Sequence, residues 1–183
     1  MMARLAQRLN RFMGREDGSM TIEFVIIVPA IFTLFLASVE FGIYSMRQMF
    51  LDRGLDVTVR TIRLNTATVY THDTVKQMIC DNAGFLNTGL NNNCDSTMRL
   101  EMLPMDLRAY TPLANNIDCV DLSQPVNPPR NFVNGSEHAL MVIRACVKFD
   151  PVFATTGIGA QFPKDGAGKA VMYSMSAFVQ EPD

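Results

Sequence analysis

Few side chains in this sequence stand in patterns that could do chemistry, and most of those fail on spacing. Gly168-Lys169 comes nearest to a phosphate-binding loop, but Pro163 stands where the first glycine is needed and Ala170 where a Ser or Thr would reach magnesium. Gly157-Ile158-Gly159 lacks a third glycine, with Phe162 in its place, so both clusters read as turns. No serine sits in a G-x-S-x-G elbow, and His72 and His138 stand far from any close cysteine pair that could complete a metal set. Asn134-Gly135-Ser136 matches a glycosylation triplet and reads as a turn. No catalytic residue, metal, cofactor or small-molecule substrate is expected, and the chain is not read as an enzyme.

The residues that do carry information are four cysteines, two glutamates and a glycine. Cys80, Cys94, Cys119 and Cys146 form an even set without a C-x-x-C pair, which favours disulfides in an oxidising compartment over a metal site. Three pairings are open. The sequential one, Cys80 with Cys94 and Cys119 with Cys146, is preferred because it anchors two loops with little apolar content of their own. A bridge between Cys80 and Cys94 would close a loop of about 15 residues, worth about 3 kcal/mol in the chain-entropy view.

Glu23 and Glu40 are the only charged side chains between Ile22 and Tyr44. A membrane-crossing helix needs about 20 apolar residues, and this stretch has that length. The uncharged run from Phe24 to Val39 would cover about 24 Å at helical rise, which leaves the two carboxylates near opposite interfaces. A cleaved secretory signal fits poorly: a cut after Ala37 or Ser38 would have Phe35 or Leu36 where a small side chain belongs. Arg4, Arg8, Arg11 and Arg15 precede the run, so the N-terminus is expected in the cytoplasm and the cysteine-bearing part outside. Four of the 16 basic side chains and two of the 18 acidic ones lie before residue 19, so the remainder is mildly acidic and unsuited to nucleic acid.

At the cytoplasmic edge stands Gly18-Ser19-Met20-Thr21-Ile22-Glu23-Phe24, followed by Val25, Pro29 and Val39-Glu40-Phe41-Gly42. Glycine followed five residues later by a carboxylate and then an aromatic ring resembles the prepilin processing site of tight-adherence (Flp) type IV pilins. The fuller set is similar to the TadE/TadF group of minor pilins or pseudopilins. The resemblance covers about residues 14 to 50. Phe24 stands where major Flp pilins usually carry tyrosine, and the outer region is far larger than theirs. Both departures favour a minor pilin.

The resemblance implies cleavage between Gly18 and Ser19 by a prepilin peptidase, for which a glycine without a side chain leaves the bond accessible. It implies an assembly role for Glu23, whose carboxylate would pair with a neighbouring subunit's N-terminus, and for Phe24, Pro29 and Glu40 beside it. Pro29 removes one helical hydrogen bond; it reads either as a tolerated kink or as help for the helix to bend on leaving the bilayer. The bland reading of Glu23 is a first-turn residue favoured by the helix dipole.

Beyond the membrane, Phe41, Tyr44, Leu51, Leu55, Val59 and Ile62 recur at helical spacing, with Arg47, Asp52, Arg53, Asp56, Arg60 and Arg63 on the remaining surface. The helix is therefore expected to run to about Asn65. A short helix from Asp73 to Asn82 follows, then a loop at Asn91-Asn92-Asn93. Strands are expected over Thr97 to Leu103, Ala139 to Phe149 and Ala170 to Val179, the last with Val171, Tyr173, Met175, Ala177 and Val179 forming its apolar face. Pro125, Pro128 and Pro129 mark a long exposed loop.

The expected class is α+β: a long N-terminal transmembrane helix continuing into a small antiparallel-sheet, pilin-like domain. Residues 1–18 form a basic leader, 19–44 the assembly helix, and 45–183 the extracytoplasmic domain. The expected place is the bacterial inner membrane, single-pass, with a periplasmic C-terminal domain. Expected partners are the lipid bilayer, the prepilin peptidase, other pilins or pseudopilins and assembly-platform proteins. The alternatives are an unprocessed bitopic protein with a periplasmic binding or scaffold domain, and a secreted enzyme.

Overall fold

In a computed structural model, residues 19–65, 68–84, 94–106, 108–109, 113, 117, 119–120 and 131–182 are described. The elements in chain order are α1 (Ser19–Leu64), α2 (His72–Asn82), α3 (Cys94–Thr97), β1 (Met98–Pro104), β2 (Leu140–Phe149), α4 (Gly157–Gln161) and β3 (Ala170–Val179). The class is α+β, as expected. Two compact units divide the chain, one up to Val39 and one from Glu40 onward. The expected loops at Asn91-Asn92-Asn93 and at Pro125, Pro128 and Pro129 lie outside the described residues, as does Gly18.

The first unit contains the N-terminal part of α1, a run of Ile, Val, Leu and Phe that is helical through Pro29. Thr33 Oγ1 donates to Ala30 O (2.8 Å) and Ser38 Oγ to Leu34 O (2.9 Å). These hydroxyls are thus satisfied by their own helix, which lowers the cost of placing them in hydrocarbon.

In the second unit, the remainder of α1 buries Leu51, Leu55, Val59 and Ile62 in one core with the sheet and α2. Helix α2 starts on a capping threonine, Thr71, whose hydroxyl accepts from Thr74 N (3.2 Å). It crosses α1 closely at Gly54, where an added Cβ would lie 2.7 Å from Ile79 O and 2.9 Å from the Ala83 Cβ. The sheet is antiparallel in the order β1-β2-β3. Its helix-covered side carries Leu100, Met102, Ile143, Ala145, Met172 and Phe178 among others, all buried.

Three expectations are corrected here. Phe41 is 57% exposed while Arg47 is 3% exposed. The inward face of α1 runs through Glu40, Tyr44, Arg47 and Leu51, so Phe41 lies about 100° away around a 3.6-residue helix. The face of β3 is also reversed. Tyr173, Met175 and Val179 point outward, while Ala170, Met172, Ser174 and Phe178 are buried. Pairing fixes this parity: Met172 lies opposite Val147 and Ser174 opposite Ala145, both on the core side of the central strand.

The second face of the sheet is also covered over β1 and β2. Arg99, Glu101, Val142, Arg144, Cys146 and Lys148 are all buried. Arg144 pairs with Glu101 directly across the strands, and Lys148 with Asp165. The Cys119–Cys146 disulfide holds the chain at Cys119 against this face, where Cys119 O accepts from Arg99 Nη1 (3.4 Å).

Candidate functional site

The sequence offers two functional regions on α1, and the structure gives them different surroundings. In the first unit, Ile22, Phe24, Val25, Ile26, Ile31, Phe32, Leu34 and Phe35 are each 57–70% exposed. An 18-residue window of this helix has a mean hydropathy of 2.4 and none of it is buried within the chain. An apolar surface of this extent exceeds what a soluble monomer leaves open. By length and composition it is a membrane-anchoring helix.

Helix α1 begins at Ser19, and its first turn holds no acidic residue. Glu23 follows one turn on and is exposed, as are Phe24 and Pro29. Residues four apart lie on one helical face, so Glu23 shares a face with the first helical residue.

The second region is built around Glu40, only 2% exposed. Its Oε1 accepts from Val152 N (3.1 Å) and its Oε2 from Phe153 N (2.9 Å). Both carboxylate oxygens are therefore spent on the turn that follows β2, and charge-assisted bonds of this kind are the stronger class. Next along the same face, the Tyr44 ring lies 5.8 Å from that of Phe149 and 5.1 Å from that of Phe162. The Arg47 guanidinium sits 5.1 Å over the Phe149 ring and donates to Asp150 O (3.0 Å). Burial lowers the Arg47 pKa from its ordinary value while Glu40 and Asp150 oppose the shift, and the guanidinium remains charged.

Lys169 Nζ binds the Asp150 carboxylate from the other side (2.7 Å). One face of α1 thus holds the corner formed by residues 149–153. Sequence reasoning put Arg47 on the surface; it placed Tyr44 on the apolar stripe, where the structure packs it against the core. The only available signal was the Glu40, Tyr44, Arg47 spacing of three and four, which places a buried ion and a donor on an otherwise apolar face.

Disulfides join Cys80 to Cys94 (Cα–Cα 5.9 Å) and Cys119 to Cys146 (5.3 Å), the sequential pairing. No cysteine is free. His72 is committed to structure: its Nε2 accepts from Leu100 N (3.3 Å) and its Nδ1 bonds Asp73. Among the described residues no group of three His, Cys, Asp or Glu side chains could hold a metal ion.

Residues 18–60 match the family described as TadE-like protein, a span that includes Gly18, Ser19, the apolar helix and Glu40 through Arg60. No curated protein and no solved structure matches the chain.

Proposed function

We propose that this chain is a minor pilin or pseudopilin of a tight-adherence (Flp-type) pilus. It is cut between Gly18 and Ser19 by a prepilin peptidase and contributes to pilus assembly and surface adhesion. The observation that carries the reading is the TadE-like match over residues 18–60 lying on a helix whose N-terminal part is apolar all round. Such a helix can sit in lipid before assembly and among other apolar helices afterwards, since lipid tails and leucine-rich surfaces are equally apolar solvents.

In this reading residues 19–44 are the assembly helix, anchored in the inner membrane, and the domain beyond faces the periplasm, where its disulfides form. Cleavage at Gly18 creates an α-amine on Ser19, and Glu23 supplies a carboxylate that registers the helix against a neighbouring subunit's amine. Partners are the peptidase, other pilins or pseudopilins, and the platform proteins that extract them. Replacing Gly18 by leucine tests the cleavage step: the longer form should accumulate in membranes, and an unchanged mature mass would reject it.

A further inference from the structure

We propose that the turn after β2, residues 151–158, is a lipid contact that seats in the acyl–headgroup boundary of the membrane α1 enters. The proposal rests on α1 being a membrane anchor and not on the pilus reading.

The depth of the turn follows from Glu40, which is joined by one peptide bond to Val39, the last residue of the uncharged run. A helical side chain leans toward the N-terminus of its helix. The Glu40 carboxylate, and the Val152 and Phe153 N–H groups it accepts from, therefore lie no farther out than the Glu40 backbone. The turn is level with the end of the apolar run. That run covers about 24 Å at helical rise, against a hydrocarbon core of about 30 Å. Glu23 is exposed at its other end, whereas Glu40 is 2% exposed and has both oxygens bonded. The missing length is thus supplied at the Glu40 end, where Phe41 is 57% exposed.

The chemistry of the turn suits that depth. Residues 151–163 carry no charged side chain. Val152 is 40% exposed, Ala154 is exposed, and Phe153 and Ile158 are half-buried. The charges that bound this stretch are bonded: Lys169 holds Asp150 (2.7 Å), and Lys164 Nζ donates to Ala160 O (3.2 Å). Unbonded backbone groups are costly in lipid. Here Glu40 takes Val152 N and Phe153 N, and Phe153 O accepts from Thr156 N (3.3 Å). The turn also shields the Glu40 charge, which would be costly beside hydrocarbon. Apolar side chains on such a surface enter the boundary by about 5–10 Å. Lipid is the neighbour that the adjoining Val39 already has, so the contact needs no further partner.

The chain has no tryptophan, so one introduced residue reports alone. Full-length chains carrying Val152→Trp, Ala154→Trp, Phe32→Trp or Val179→Trp are reconstituted at a high lipid-to-protein ratio in phosphatidylcholine vesicles. One vesicle set has acyl chains brominated near the headgroup, the other near the methyl end. Val179 adjoins Gln180, which bonds the Ile62 carbonyl, about 33 Å along α1 from Glu40. Both turn reporters should lose most of their emission to the shallow bromines and Phe32→Trp to the deep ones. Val179→Trp, 49% exposed, should keep its emission in both sets and so shows what an exposed tryptophan does by itself. The proposal is overturned if Phe32→Trp is quenched and neither turn reporter is, or if Val179→Trp is quenched as strongly as they are. An unquenched Phe32→Trp would overturn the membrane anchor itself, and this contact with it.

Discussion

Glu40 and Glu23 lie on one helix in opposite surroundings, and their substitutions should separate. Glu40→Ala removes the carboxylate that accepts from two part-buried backbone N–H groups, and bonds to a charged group contribute about 1.5–3 kcal/mol each. It should destabilise the domain by about 3 kcal/mol, read as a lower Tm of the detergent-solubilised chain; an unchanged Tm would mean that the corner does not depend on Glu40. Glu23 is exposed, and a carboxylate near the membrane edge adds little to partition. Glu23→Ala should therefore insert and unfold like the wild type yet fail to join pili, and normal piliation would reject its proposed role. The sequence could mark Glu40 as unusual but not say why. Its partners are 112 and 113 residues away, in a turn with no motif.

At the scale of elements, boundaries were largely legible and faces less so. Helix α2 and all three strands lie within a residue of expectation, because turn residues and alternation bound them. The reversed face of β3 shows the limit. Its outer side is by composition the more apolar, while Ser174 lies on the covered side, where a small side chain leaves room for the packed helix. Pattern alone cannot see that helix. The α1–α2 crossing predicts that Gly54→Ala destabilises by about 1–3 kcal/mol, since its methyl group would meet the Ile79 carbonyl. A wild-type Tm in that variant would contradict the crossing.

The turn into β3 has a pH signature. Burial raises the Asp165 pKa, but the bond from Lys148 and the backbone N–H groups of Lys169 and Ala167 outweigh it, so its carboxyl is held below the ordinary range. A depressed folded value stabilises above the ordinary carboxylate pKa and loses that effect as pH falls through the lower folded value. Asp165→Asn should lower Tm at neutral pH, and the gap to wild type should close in strong acid. A gap independent of pH would contradict this assignment.

For the whole molecule, the strongest signals were again those that spacing carries. The apolar run, the even cysteines and the glycine-to-glutamate junction each pointed to a membrane-anchored chain with a disulfide-tied outer domain. The two disulfides and the apolar helix are present in the structure. The family match ends at residue 60, so the outer domain had to be read from alternation and composition alone. The central claim is that this chain is processed as a prepilin, and the direct measurement is the N-terminal sequence and intact mass of the protein recovered from membranes. The account predicts a chain beginning at Ser19 with the apolar helix retained. A chain that keeps residues 1–18, or one that has lost the whole apolar run, would contradict it.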